Sequence, residues 1–195
     1  MRVVLLAAII IIIISGCSDA PPLPTDHFYR LTVGDHNNVQ LQNISDTIYI
    51  APFKADGIYN ERAMLYANSP DGRELQQHHY HFWITSPPDL LRDYLVDYLR
   101  NVSSARIIQD NIRRDGIRIL GRVQAFEILK TDSGDLARVR IEFTAIRRND
   151  TTPVLVKSYL ATEKVNGDTF DEKVNATNTA TDHIYQELIQ DLNQI

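Results

Sequence analysis

An apolar run near the start of the chain constrains most strongly what the rest of it can fold into. The run extends from Val3 to Ile14, follows Arg2 and ends at Ser15-Gly16-Cys17. Because it is too short to stay in a bilayer as a spanning anchor and is followed by small residues, it predicts a cleaved leader over residues 1–16. The only cysteine lies directly behind that cleavage point. No intramolecular disulfide can form, so the remaining chain must be stabilised by an apolar core.

Ile14-Ser15-Gly16-Cys17 resembles a bacterial lipobox, and we therefore expect Cys17 to carry a diacylglycerol thioether and an N-acyl group. Acyl chains at one residue would attach the protein stably to a membrane. An ordinary secretory leader or an uncleaved anchor are the alternatives, but neither explains the position of the cysteine. Ser18 follows Cys17, where an acidic residue would signal inner-membrane retention in enterobacteria. This favours the periplasmic face of the outer membrane.

The composition is that of one globular domain without an affinity for polyanions. Hydrophobic residues make up 44% of the chain and charged residues 23%, and the formal net charge is −5. Removing the leader with Arg2 makes that charge one unit more negative. The acidic balance argues against nucleic acid and gives no attraction to anionic headgroups, so membrane attachment would depend on the acyl chains.

The mature chain is predicted to begin with a tether and to continue as a single domain. Residues 17–27 hold Pro21, Pro22 and Pro24 without apolar periodicity, which is typical of an extended linker. The domain is predicted over residues 28–195. Short β-branched or alternating segments predict strands at 28–31, 47–53, 64–66, 76–83, 106–109, 117–129, 136–148 and 152–164. Turn residues at 69–72 and 131–135 predict two hairpins.

Two helices complete the predicted domain. Ser86, Pro87 and Asp89 are typical of a helix start, and the apolar spacing that follows predicts a helix over about 86–101. A second apolar stripe predicts a helix over about 171–193. Together these elements predict an α+β or layered α/β/α fold with a mixed, largely antiparallel sheet.

His78-His79-Tyr80-His81 is the most conspicuous cluster of chemically versatile residues. On a regular strand His79 and His81 would share one side and could hold a metal ion. A zinc site needs three or four ligands, however, and no second group at ligand spacing is present in the sequence. We therefore favour a polar strand, with no metal or cofactor.

No phosphate loop, nucleophile elbow or zincin helix is found in the sequence, so we expect no catalytic activity. Two surface hypotheses remain. Arg138 and Arg140, with Arg147-Arg148, could form a basic patch for lipid phosphate or an acidic partner, although alternating charges also keep a strand soluble. Tyr80 and Trp83 could form part of a docking surface for a partner, although aromatic residues on strands are more often core.

Residues 79–91, His79-Tyr80-His81-Phe82-Trp83-Ile84-Thr85-Ser86-Pro87-Pro88-Asp89-Leu90-Leu91, follow an upstream Tyr29-Arg30-Leu31 that comes after a proline-rich tether. With these segments the chain resembles the ABC-type transport auxiliary lipoprotein family, which includes the lipoproteins of Pqi-type systems. That family has a Tyr-x-Leu first strand, and then a Tyr-x-x-Trp strand followed by proline and a leucine-rich helix. The arginine expected before the tryptophan is replaced by Phe82 or His81.

The resemblance implies a periplasmic lipoprotein without chemistry of its own. It would act with an MCE-domain protein, an inner-membrane permease and an ATPase to move lipids or other hydrophobic compounds across the envelope. Homo-oligomerisation into a ring would match a ring-shaped MCE partner. The alternatives are an outer-membrane assembly or cell-wall regulatory lipoprotein, which would share the same anchor and domain size, and a tethered hydrolase.

Overall fold

A computed structural model describes residues 23–34, 39–44, 47–109, 116–147 and 150–195. The predicted leader, Cys17 and the tether up to residue 22 lie outside these ranges. The strands are β1 (His27–Tyr29), β2 (Thr47–Ile50), β3 (Lys54–Ala55), β4 (Ala63–Ala67), β5 (Leu75–Trp83), β6 (Arg106–Ile108), β7 (Gly116–Leu129), β8 (Leu136–Arg147) and β9 (Leu155–Lys164). The helices are α1 (Pro87–Val102) and α2 (Phe170–Leu192), and a short 3₁₀ helix spans Gly57–Asn60.

The sheet is organised around β7, which has 14 residues and pairs along both edges. One edge receives β2, β3 and β4 in succession, all parallel to β7. The other edge pairs with β8, which pairs in turn with β9, and these two long pairings are antiparallel. Beyond β2 lies β6, and beyond β4 lie β5 and then β1. The predicted mixed, largely antiparallel sheet and both predicted hairpins are confirmed.

The helix starts follow from local chemistry that the sequence only partly revealed. Pro87 and Pro88 begin α1, and the Ser86 hydroxyl donates to the Asp89 carboxylate at 2.7 Å instead of capping an amide. Two consecutive prolines leave few free N–H groups in that first turn. At α2, Thr169 and Glu172 form a reciprocal capping box that the sequence analysis did not identify.

Both helices pack on the same face of the sheet. The Tyr185 hydroxyl of α2 donates to the Leu91 carbonyl of α1 at 2.6 Å, and the Tyr185 ring also lies against Phe143 of β8. Val139, Ile141 and Phe143 are fully buried beneath this helical layer. The prediction of an α+β fold is therefore confirmed, and neither described α-helix packs on the opposite face.

On that opposite face β8 and β9 expose side chains to solvent. Arg140 is exposed, and Val156 and Leu160 are 61% and 48% exposed. We call this surface the outer face and the helix-covered surface the inner face. Among the described residues, no helix is long and apolar enough to cross a membrane.

Replacing Tyr185 with Phe is expected to lower the free energy of unfolding by about 1 kcal/mol, because it removes the buried hydroxyl that donates to the Leu91 carbonyl while the ring stays in place. Urea unfolding followed by circular dichroism measures the change. Tyr80→Phe is the matched control, since Tyr80 is 44% exposed and should change stability little. Equal stabilities of the two variants would contradict a structural role for the Tyr185 hydroxyl.

Candidate partner-binding surface

The edge formed by β1 and β5 carries exposed aromatic side chains next to the point where the tether enters the domain. β1 runs parallel to β5 and pairs Phe28 with Phe82. Their rings stack with centroids 5.8 Å apart, and Phe28 is 56% exposed. The Arg62 guanidinium lies 5.4 Å from the centroid of the Phe28 ring, in cation–π geometry. An apolar ring at this exposure is typical of a contact surface rather than of a core.

An open groove of about 360 Å³ runs beside these rings, and we call it the Phe28 groove. Its lining combines aromatic rings with charges of both signs, a composition that suits a protein segment better than a purely apolar ligand. The lining residues are Asp26, Phe28, Glu61, Arg62, Ala63, Gln77 and Phe82.

The two aromatic residues predicted for a docking surface have different environments. Tyr80 is 44% exposed and remains available to a partner. Trp83 is only 3% exposed and packs its ring 4.9 Å from that of Phe126 in the core. Trp83 is therefore a core residue, since β5 turns it towards the helical layer. Two aromatic residues that were not predicted for this surface, Phe28 and Phe82, line the groove. No spacing in the sequence distinguished them from core aromatic residues.

The histidine cluster is arranged by a bulge in β5 that breaks the predicted alternation. Between two paired positions, two steps along β4 face five steps along β5. His78 and His81 consequently lie on the same side, where both rings contact Phe170 of α2 at 4.8 and 3.3 Å between centroids. The predicted grouping of His79 with His81 is wrong for this reason. No group of three or more metal-ligating side chains is found among the described residues.

His81 is the centre of a stacked arrangement that joins β1, β5 and α2. Its ring lies between those of His27, at 5.1 Å, and Phe170. Its Nδ1 and the Tyr29 hydroxyl oxygen share a hydrogen bond of 2.9 Å, in which Nδ1 accepts when the ring proton is on Nε2. The cluster therefore fixes the short strand β1 to the sheet edge and to the first turn of α2.

The same packing makes protonation of these imidazoles unfavourable. Burial, followed by the neighbouring His81 and Lys173, lowers the pKa of His78 to about 4. Burial, followed by His27 and Lys173, lowers the pKa of His81 as well. The Tyr29 hydroxyl has a raised pKa through burial and the nearby Asp171 carboxylate. The cluster is thus held together in its neutral form.

The residues proposed as a basic patch are mostly engaged in internal contacts. Arg138 forms an ion pair with Glu127, whose side chain is fully buried. Burial and this Glu127 raise the pKa of Tyr59 to about 12, so Tyr59 also belongs to this buried cluster. Arg147 donates to the Ile195 carbonyl, and Arg140 alone is exposed in the middle of β8. Arg148 lies outside the described residues, and the three described arginines have different environments.

A family model described as ABC-type transport auxiliary lipoprotein component matches residues 37–188. This range includes most of α2 and every described strand except β1. No curated protein sequence matches the chain.

Solved structures share the fold at low sequence identity. A Xanthomonas campestris protein of the family DUF330 is 17% identical with a TM-score of 0.68, over 84% of this chain and 92% of that one. An uncharacterized protein is 13% identical with a TM-score of 0.66, over 85% and 97%. A hypothetical protein from Chlamydia trachomatis is 5% identical with a TM-score of 0.51, over 76% and 96%. At these identities the similarity establishes the fold alone.

The free energy of unfolding is expected to fall as the pH drops from about 6.5 towards 4, and part of this loss should depend on His78. The unfolded chain protonates this imidazole near its ordinary pKa of 6.5, whereas the folded chain resists until about pH 4. Protons therefore favour the unfolded state in that window. Urea unfolding of the wild type and of His78→Phe at pH 7 and 4.5 measures the effect.

His78→Phe should lose less stability on acidification than the wild type, because the ring contacts remain and the titrating group is gone. His79→Phe serves as the control, since His79 is exposed on the same strand. An unchanged acid sensitivity in His78→Phe would refute the assignment.

Proposed function

The chain belongs to the family of ABC-type transport auxiliary lipoprotein components, and on this basis we propose that it is a non-catalytic subunit of an ABC-type system that moves lipids or other hydrophobic compounds across the bacterial envelope. The match over residues 37–188 is the observation that carries the proposal, because it covers nearly the whole folded domain. An MCE-domain protein, a permease and an ATPase would be the partners. The domain would bind and position them rather than transform a substrate.

Anchoring would come from Cys17 through its acyl chains, with the domain facing the periplasm from the outer membrane. The tether reaches the domain at β1, and Leu23 on this approach is 88% exposed. Pro24 has no N–H to donate to the free edge of β5, which agrees with strand pairing beginning only at His27. The tether would therefore remain extended and set the distance between membrane and domain.

Docking would use the Phe28 groove, since its aromatic rings are exposed and its position beside the tether is fixed by the His81 cluster. A rigid aromatic side chain costs little conformational entropy when a partner covers it. Arg62 and Glu61 at the rim would provide charge pairing around this apolar centre.

Cys17→Ala is expected to abolish acylation and to release the protein from the membrane, because no other lipidation site or attraction to headgroups is present in the sequence. Metabolic labelling with radioactive palmitate and fractionation of cells measure both effects. Ser18→Ala, next to the modified residue, should remain labelled and membrane-bound. Labelling that persists in Cys17→Ala would exclude the proposed anchor, and membrane retention without labelling would indicate an uncleaved leader.

Phe28→Ser is expected to reduce recovery of the MCE-domain protein at least severalfold, because it removes the exposed centre of the Phe28 groove. Affinity purification of the full-length lipidated protein from crosslinked membranes, followed by mass spectrometry, provides the measurement. Ile58→Ser is the matched control, since Ile58 is also an exposed apolar side chain, at 36%, but does not line the groove.

The wild-type purification decides between the functional alternatives. Recovery of an MCE-domain protein with its permease would support the transport role. Recovery of outer-membrane assembly factors or peptidoglycan synthases instead would reject it and favour the alternative binding role. Turnover of ester, glycosidic or peptide substrates by the purified protein would reject the non-catalytic part of the proposal.

Self-association into a ring is the remaining part of the proposed function. A ring of copies would present several identical grooves to a ring-shaped MCE partner, which would strengthen binding through multivalency. A monomeric mass of the purified protein in light scattering would count against it.

A further inference from the structure

β9 forms a long edge of the described sheet. Its ten residues pair with β8 at every position, and no described strand pairs with its other side. At the other margins of the described sheet, β1 and β6 have three residues each. A free edge of this length presents a row of unpaired N–H and C=O groups and is a template for another strand.

The alternation of backbone hydrogen bonds between β8 and β9 identifies the residues of β9 whose N–H and C=O groups point away from the sheet. The Val165 N–H donates to the Asp135 carbonyl at 2.9 Å, one step beyond the paired residues Leu136 and Lys164. In an antiparallel ladder the residues that exchange backbone hydrogen bonds alternate. Odd-numbered residues of β9 therefore bond to β8, and the backbone groups of the even-numbered residues point away from the sheet.

The charged side chains that usually protect an edge strand are turned towards α2. Lys157 forms an ion pair with Asp191 of α2 at 2.7 Å, and Glu163 contacts His183 of the same helix at 2.8 Å. These residues have odd numbers and lie on the inner face. They leave the outer face of the edge without their charges.

The side chains of the even-numbered residues of β9 lie on the outer face, and all of them except the last, Lys164, are uncharged. The uncharged residues are Val156, Ser158, Leu160 and Thr162, and Val156 and Leu160 are 61% and 48% exposed. The edge therefore offers both free backbone groups and apolar side chains. From Val156 to Thr162 the outer face of this edge therefore has none of the charged side chains that often protect a long edge strand.

We propose that β9 pairs antiparallel with β9 of a second copy of this chain, about a two-fold axis at Ser158. Only the even-numbered residues of β9 have free backbone groups, so they must form the hydrogen-bonded pairs. With the axis at Ser158, Val156 of each copy lies opposite Leu160 of the other. The two most exposed apolar side chains of the strand then cover each other, as cross-strand pairs do within a sheet.

The two-fold contact joins the two sheets into one and keeps the helical layers on one side. Such a contact uses the same surface on both copies and closes at two, so a larger ring would need a second and different contact. The inference goes beyond the proposed transport role. Its test involves no transport partner, so each can fail while the other stands.

Disulfide trapping in the full-length chain tests the register directly. Under the proposal, Cys17 is acylated, so a cysteine introduced elsewhere is the only free thiol. In Ser158→Cys the two copies would bring their Cα atoms to about 5.5 Å, the separation of a hydrogen-bonded antiparallel pair and within disulfide range. In Thr162→Cys the equivalent atoms would lie roughly 26 Å apart along the strands. Both residues belong to the same strand and face.

Mild oxidation of membranes followed by a non-reducing gel is expected to give a dimer with Ser158→Cys and none with Thr162→Cys. Adding Leu160→Lys to Ser158→Cys should abolish the dimer, because a charge replaces one side of the apolar pair, whereas adding Leu23→Lys in the tether should leave it. Absence of the Ser158→Cys dimer, or equal trapping at both positions, would overturn the proposal.

Discussion

The pairing of β7 along both of its edges is the constraint on which the rest of the structure depends. A strand of 14 residues holds β2, β3 and β4 in succession on one side and β8 on the other. Its inward residues, among them Ile119 and Val123, have no exposed surface and belong to the core that the helices cover. Loss of this strand would separate the β2–β6 and β4–β5 units from the hairpin that carries α2.

The second helix, α2, connects this core to the sheet edge where the tether enters. Tyr185 joins α2 to α1 by a hydrogen bond to the Leu91 carbonyl, and at the other end Phe170 stacks on His81. The three-residue strand β1 would be too short to stay paired by its ladder alone, and the ring contacts of His27 and Tyr29 supply the rest. The position of the Phe28 groove is thus set by the packing of a helix that is distant in the sequence.

The two surfaces with functional proposals lie at opposite margins of one sheet. The Phe28 groove is beside the tether and has aromatic rings with charges at its rim, a composition suited to a protein partner. The free edge of β9 has backbone groups and apolar side chains, a composition suited to another strand. Because the surfaces do not overlap, the two proposed contacts do not exclude each other.

The sequence by itself determined what depends on neighbours along the chain: nearly every strand, both helices and the hairpin turns. The leader ending at Cys17 is a prediction of the same kind. It could not determine which strands become neighbours, because pairing of β7 with β2, β3 and β4 joins distant segments. Alternation along β8 indicated one buried and one exposed face, but not which elements would cover the buried one. The bulge that brings His78 beside His81, the burial of Trp83 and the exposure of Phe28 were decided by tertiary packing. The physical reason is that solvent access depends on where α2 packs, and no local pattern encodes that contact.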